Sequence, residues 1–188
     1  HGIGATEGQF MKLILHAPNI HQGGGRTLLL ALLAEIEGYP CTALLDERLE
    51  LPETLNPGVL VLRVVPSVTG RLAAEWTLRR LARTDDVVLC LGNLPPLFSL
   101  RGTVKVFVQN RYLLARRSLA GMRRQAQLRI SIERVWLRAF LRRAEILVQT
   151  PSMQREVAET LRVAARAVPF FLPVDAPRKS VASTRRFD

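Results

Sequence analysis

Six short, nearly unbroken apolar runs recur along the chain. They are KLILHAP (12–18), CTALLDE (41–47), VLVLRVV (59–65), DVVLCLG (86–92), TVKVFVQN (103–110) and AEILVQT (144–150). Runs this short, without polar alternation, are the mark of strands buried on both faces. Helical stretches separate most of them. RTLLLALLAEIEG (26–38) is closed by Gly38, and RLAAEWTLRRLAR (71–83) is amphipathic. An Arg-rich helical region runs over 113–143. Thr150 caps a last helix that has Pro151 at its first position and runs to about Arg162. Buried strands alternating with helices specify a parallel sheet with helices on both faces. The predicted fold is α/β: a doubly wound, Rossmann-like domain with a parallel sheet of about six strands.

At 188 residues the chain has room for one such domain. HGIGATEGQF (1–10) has no periodicity and reads as an appended remnant. The domain is expected over 11–173. Pro, Ser and basic residues then dominate 174–188, which is linker composition. No apolar stretch approaches the roughly 20 residues of a membrane-spanning helix. MKLILHAPN is too short an apolar run for a secretory signal.

Lys and Arg number 27 against 16 Asp and Glu, for a net charge of +11. That balance favours an anionic partner: nucleic acid, an acidic membrane or a phosphorylated substrate. Cys41 and Cys90 lie far apart in strand-like contexts. They read as buried free thiols, which suits a reducing compartment, and no Cys/His cluster suggests zinc.

The loop after the first strand, PNIHQGGGR, is the candidate binding feature. In doubly wound sheets ligands sit at the carboxyl ends of the strands. Gly23, Gly24 and Gly25 let backbone N–H groups approach an anion there, and a helix N-terminus adds about half a positive charge. Arg26 would add a full one. A tight turn that packs the helix on the sheet is the structural alternative. Neither G-x-G-x-x-G nor G-x-x-x-x-G-K-[ST] is present, which disfavours dinucleotide enzymes and nucleotide triphosphatases.

A first strand, N-x-x-x-G-G-G and a very apolar first helix together resemble a known arrangement. It is the N-terminal, acceptor-side domain of GT-B glycosyltransferases of the large retaining family four. VKVFVQNRYLL (104–114), AEILVQTPSMQREV (144–157) and VPFFLPVD (168–175) are similar to later segments of that domain, and the resemblance spans 12–188. It implies an enzyme that moves a sugar from a nucleotide-sugar to a saccharide or lipid-linked acceptor, in lipopolysaccharide or surface polysaccharide synthesis. A second domain would bind most of the donor and carry a paired-glutamate motif. The chain alone would then lack turnover.

The resemblance places Gly23, Gly24 and Gly25 against the donor diphosphate. It sets Gln109 and Asn110 where relatives keep a His-containing polar pair near the transferred sugar, although this chain has no His there. Asn19 and His21 become sugar contacts, and Arg111 a contact for an acidic acceptor. His16, inside the first strand, reads as a satisfied core residue. No cofactor is implied beyond the nucleotide-sugar substrate, no DxD motif is present, and no metal is called for.

Residues 111–143 hold ten arginines and a single acid, Glu133. On a helical wheel Leu128, Ile132, Val135, Trp136, Ala139 and Phe140 share one face, which is expected to enter the core. Arg123, Arg124, Arg134, Arg138 and Arg142 gather elsewhere, with Ile130, Leu137 and Leu141 beside them. A basic face with apolar neighbours suits an anionic membrane surface, at the inner face of the cytoplasmic membrane. A solvated basic face is the alternative. A second function class is a non-catalytic Rossmann-like domain that binds a polyanion through these arginines. Nucleic acid is disfavoured, since aromatics make up only 6% and no stacking platform appears.

Overall fold

A computed structural model describes residues 11–36, 38–53, 55–114 and 119–169. The proposed remnant (1–10) and linker (174–188) lie outside the described residues. The elements run β1 (Leu13–Ala17), α1 (Gly23–Glu35), β2 (Cys41–Asp46), β3 (Val59–Val64), α2 (Val68–Leu81), β4 (Val87–Cys90) and β5 (Thr103–Val108). There follow α3 (Arg111–Leu114), α4 (Arg124–Phe140), a short 3-10 turn (Leu141–Arg143), β6 (Glu145–Val148), α5 (Pro151–Leu161) and β7 (Ala165–Ala167).

The strands form one sheet in the order β3-β2-β1-β4-β5-β6-β7, every neighbouring pair parallel. This is the doubly wound, Rossmann-like arrangement, and its direction of winding reverses between β1 and β4. Helices cover both faces. Leu28, Leu29 and Leu33 of α1 pack with Leu15, Ala17, Ala43 and Leu45 on one face. Elements α2 to α5 cover the other, against Ile14, Val88, Val106 and Val148.

The sheet has seven strands rather than about six. The extra one, β7, is a three-residue edge strand, Ala165–Ala167, too short and too exposed to carry an apolar signal. The helical region over 113–143 is not continuous: α3 and α4 are separate, and Gly121 between them has φ of 88°. A residue in that left-handed region interrupts a right-handed helix. Helix α1 starts at Gly23 rather than Arg26 and ends before Gly38. Thr150 does cap α5, its Oγ1 accepting from the Met153 N–H at 3.3 Å, with Pro151 in the first turn.

The largest correction concerns α4. Ile130, Leu137 and Leu141 enter the core, whereas Leu128, Ile132 and Val135 are 64%, 55% and 68% exposed. The wheel finds the broader apolar face, but packing with α3 and with the core over Val106 and Ile146 decides which face is buried. A narrow stripe suffices there, and the broader one is left to solvent.

Candidate functional site

Two adjoining cavities open at the carboxyl end of the sheet. The first, about 350 Å³, lies where the winding reverses. Asn19 and Ile20 come from the loop after β1, Gly24 and Gly25 from the start of α1, and Gln109 and Asn110 from the end of β5. Gly23 turns the chain into α1 with φ of 71°, a conformation that favours glycine. Gln22, at the cap position, offers no side-chain hydrogen bond to the helix. The amides of the first turn have no intrahelical acceptor either, so they and the helix dipole are available to an anion. A Cβ on Gly24 would meet nothing within 4 Å. Glycine there is thus not demanded by packing within the chain.

The opposite wall is built by a residue the sequence reading passed over. Asn93, after β4, adopts φ of 65°. Its Oδ1 accepts from the backbone N–H groups of Gln109 at 2.7 Å and Asn110 at 2.9 Å. Asn110 Oδ1 in turn accepts from the Tyr112 N–H at 3.0 Å, starting α3. The backbone of the Gln109-Asn110 pair is therefore committed to structure, and its side chains line the cavity. Gly92 lies close under Asn19: a Cβ there would stand 2.5 Å from Asn19 Oδ1 and push that side chain aside. Glu133 also lines this cavity, beside Arg129, and burial pushes its carboxyl above the usual range.

The second cavity is larger, about 670 Å³, and shares Asn19 and Arg129 with the first. It runs between the N-terminal part of α2 and α4. Arg48, Arg71 and Arg129 line it together with Val65, Val68, Leu72 and Trp136. Arg48 grips the buried Asp46 with two hydrogen bonds, Nε to Oδ1 at 2.9 Å and Nη2 to Oδ2 at 2.7 Å. These bonds hold the Asp46 carboxyl below its ordinary pKa.

Beneath this cavity lies a buried polar cluster. His16 Nε2 stands 3.7 Å from Glu75 Oε1, and Arg71 Nε stands 3.5 Å from the same oxygen. None of these three atoms has a hydrogen-bond partner. Burial, with Arg71 second, lowers the His16 pKa to about 3, so its imidazole is neutral. Burial also pushes the Glu75 carboxyl up. Glu75 Oε2 accepts from the Leu97 N–H at 2.9 Å, and Trp136 Nε1 donates to the Pro95 carbonyl at 2.9 Å. The Arg71 guanidinium lies 5.8 Å from the centre of the Trp136 ring. The segment after β4 is thereby fastened to both α2 and α4. His16 is a core residue as expected, but not a satisfied one.

Of the expected site residues, Asn19, Gly24, Gly25, Gln109 and Asn110 meet in the first cavity. His21 does not line it; its Nδ1 faces Asp46 Oδ2 at 3.7 Å. Arg111 turns away, paired with Glu156 at 3.3 Å and donating to Ser152 Oγ at 3.2 Å, which braces α3 on α5. Arg26 lies 4.0 Å from the exposed Glu50. Arg123, Arg124, Arg138 and Arg142 are exposed. Arg134 is half-buried, its Nε donating to the Tyr112 carbonyl at 2.8 Å. Asp46, Arg48, Arg71, Glu75 and Asn93 are site residues that no motif announced. Cys41 and Cys90 are buried free thiols, and burial raises the Cys41 pKa to about 11.

Among the described residues no helix is long and apolar enough to cross a membrane. No group of His, Cys, Asp and Glu side chains there could hold a metal ion. Models of known protein families give no match to this chain, and no curated protein matches it.

Proposed function

We propose that this domain is the acceptor side of a glycosyltransferase. The sugar donor is a nucleotide-sugar, and the acceptor is a saccharide or a lipid-linked intermediate of surface polysaccharide synthesis. The observation that carries the reading is the first cavity: an uncapped helix N-terminus at Gly24 and Gly25 facing a wall of amide side chains. Amides and a helix dipole suit the charge that develops on a departing diphosphate. Asn19, Gln109 and Asn110 suit sugar hydroxyls, with Glu133 as a further acceptor. In this reading a second domain binds most of the donor and closes the crevice from above. His21, held near Asp46, and Arg111 lie outside the crevice and are assigned no contact in it.

The second cavity opens beside the first and offers the acceptor a place next to the donor. The exposed apolar stripe of α4 is flanked by Arg124, Arg138 and Arg142, an arrangement suited to the surface of an anionic membrane. The protein would then work at the cytoplasmic face of the membrane without crossing it.

The test uses the full-length gene product, a panel of sugar nucleotides and a lipid-linked saccharide acceptor, with transfer scored by mass. The Cβ that Gly24→Val adds would meet nothing within 4 Å. The substitution is expected to cut transfer by at least about a hundredfold, as the loss of an anion-stabilising site does, while the melting temperature stays unchanged. Consumption of no donor with any acceptor, or full activity in Gly24→Val, would overturn the reading.

A further inference from the structure

The lining of the larger cavity combines cationic and apolar groups. Three guanidinium groups face it, and none is fully used by its acid. Arg48 spends its Nε and Nη2 on Asp46 and keeps its other donors. Arg71 Nε has no hydrogen-bond partner, and its acid, Glu75, lies buried beneath it at 3.5 Å. Arg129 is 72% exposed and stands 3.6 Å from Glu133, too far for a good hydrogen bond. The first turn of α2 opens on the same cavity at Ser67 and Val68, adding the positive end of a fourteen-residue helix.

The rest of the wall is apolar and open. Val65, Val68 and Leu72 are 54%, 79% and 48% exposed. Trp136 lines both this cavity and a largely apolar hollow on α4, formed with Ser131, Ile132, Val135, Ala139 and Phe140. The apolar surface therefore continues from the α2 side, across Trp136, onto the exposed α4 stripe. Arginines border that stripe as well. A cationic seat that opens onto a strip of exposed hydrocarbon complements an anionic head with an alkyl tail.

We infer that the cavity between α2 and α4 seats the phosphate of a lipid-linked acceptor, with Arg48, Arg71 and Arg129 on the phosphate and the hydrocarbon along Val68, Leu72 and the α4 stripe. The inference rests on the glycosyl-transfer reading for the word acceptor, but the seat itself can be measured without any donor. It places the reacting end of the acceptor toward Asn19 and Arg129, which the two cavities share. It also explains why the broad apolar face of α4 is left uncovered: the substrate's own lipid phase covers it.

The experiment measures binding to the full-length protein by the fluorescence change that is present in a Trp76→Phe background and lost on Trp136→Phe, which assigns it to Trp136. The probes are monomeric octyl phosphate, octyl glucoside and glucose 1-phosphate. Octyl phosphate is expected to bind at least about tenfold tighter than either of the others, and Arg129→Gln or Arg48→Gln to weaken it about tenfold. Arg155→Gln, on the exposed side of α5, should leave it unchanged. Equal binding of octyl glucoside, or octyl phosphate binding that survives both arginine changes, would overturn the seat. Glucose 1-phosphate binding as tightly as octyl phosphate would assign the cavity to a soluble phosphate and overturn the lipid assignment. Failure of sugar transfer with octyl phosphate binding intact counts against the transferase reading alone. Transfer without octyl phosphate binding counts against this cavity alone.

Discussion

The two faces of the sheet are built from the same apolar strands and differ in what is laid on them. Under α1 the packing is plain. Leu29 and Leu33 are fully buried, clustered with Leu15, Leu45 and Phe107. Under α2 and α4, His16 and Thr42 of the sheet and Glu75 of α2 each bury a polar atom with no partner among the described residues. The helices there also turn apolar residues outward: Val68, Leu72 and Trp76 on α2, and Leu128, Ile132 and Val135 on α4. One face is optimised for burial. The other mixes buried polar atoms into its core and leaves apolar helix residues exposed, and that side lines the larger cavity. Unsatisfied buried groups cost stability, so this face is expected to be the less stable of the two.

The widest contrast is in core truncation. Leu29→Ala, under α1, is expected to cost roughly 2–5 kcal/mol in denaturant unfolding, as fully buried leucines do. A cost below about 1 kcal/mol would show that this face is loosely packed and erase the contrast.

A second probe uses acid. The folded state lowers the His16 pKa from 6.5 to about 3, so the unfolded chain binds the extra proton across that interval. Stability from this site is fully present above pH 6.5 and is lost as pH falls toward 3. Glu75, whose carboxyl burial pushes up, acts in the opposite sense. His16→Leu should therefore flatten the loss of stability with acid by up to about 1.4 kcal/mol per pH unit. An unchanged slope would mean that the imidazole is not held neutral.

Two smaller effects sharpen the picture. Asn93→Gly keeps the left-handed backbone but removes the acceptor for two N–H groups, and should cost about 1–3 kcal/mol. Asn93→Ala should cost more, since alanine also resists that backbone; equal costs would mean that φ is irrelevant there. At the bottom of the scale, Ile132→Ser on the exposed α4 stripe should change stability by no more than about 0.5 kcal/mol. Its effect is expected instead in a vesicle sedimentation assay with anionic lipid, as weaker binding. A large stability loss would show that something in the chain covers the stripe.

Much of this was legible in the sequence, because it rests on local signals. The buried strands declare themselves by continuous apolar runs, and Thr150-Pro151 declares a helix start. The glycine run lies at the mouth of the crevice, as its place after the first strand suggested. The orientation of α4 was not legible. Periodicity shows that Ile130, Leu137 and Leu141 form one stripe and Leu128, Ile132 and Val135 another, but not which of them meets the sheet. The pairings that shape the second cavity were hidden for a related reason. His16 meets Glu75, and Glu75 meets Leu97, only once α2 lies across the sheet. Asn93 reads as an ordinary loop asparagine until β5 runs beside it.

The measurement that bears most directly on the account is hydrogen exchange of the full-length protein with and without a nucleoside diphosphate. Engagement of the α1 amides by the diphosphate should slow exchange over residues 22–26 and leave α5 unchanged, and Gly24→Val should abolish that protection. Exchange over 22–26 that ignores the nucleotide would contradict the assignment of this helix start to phosphate.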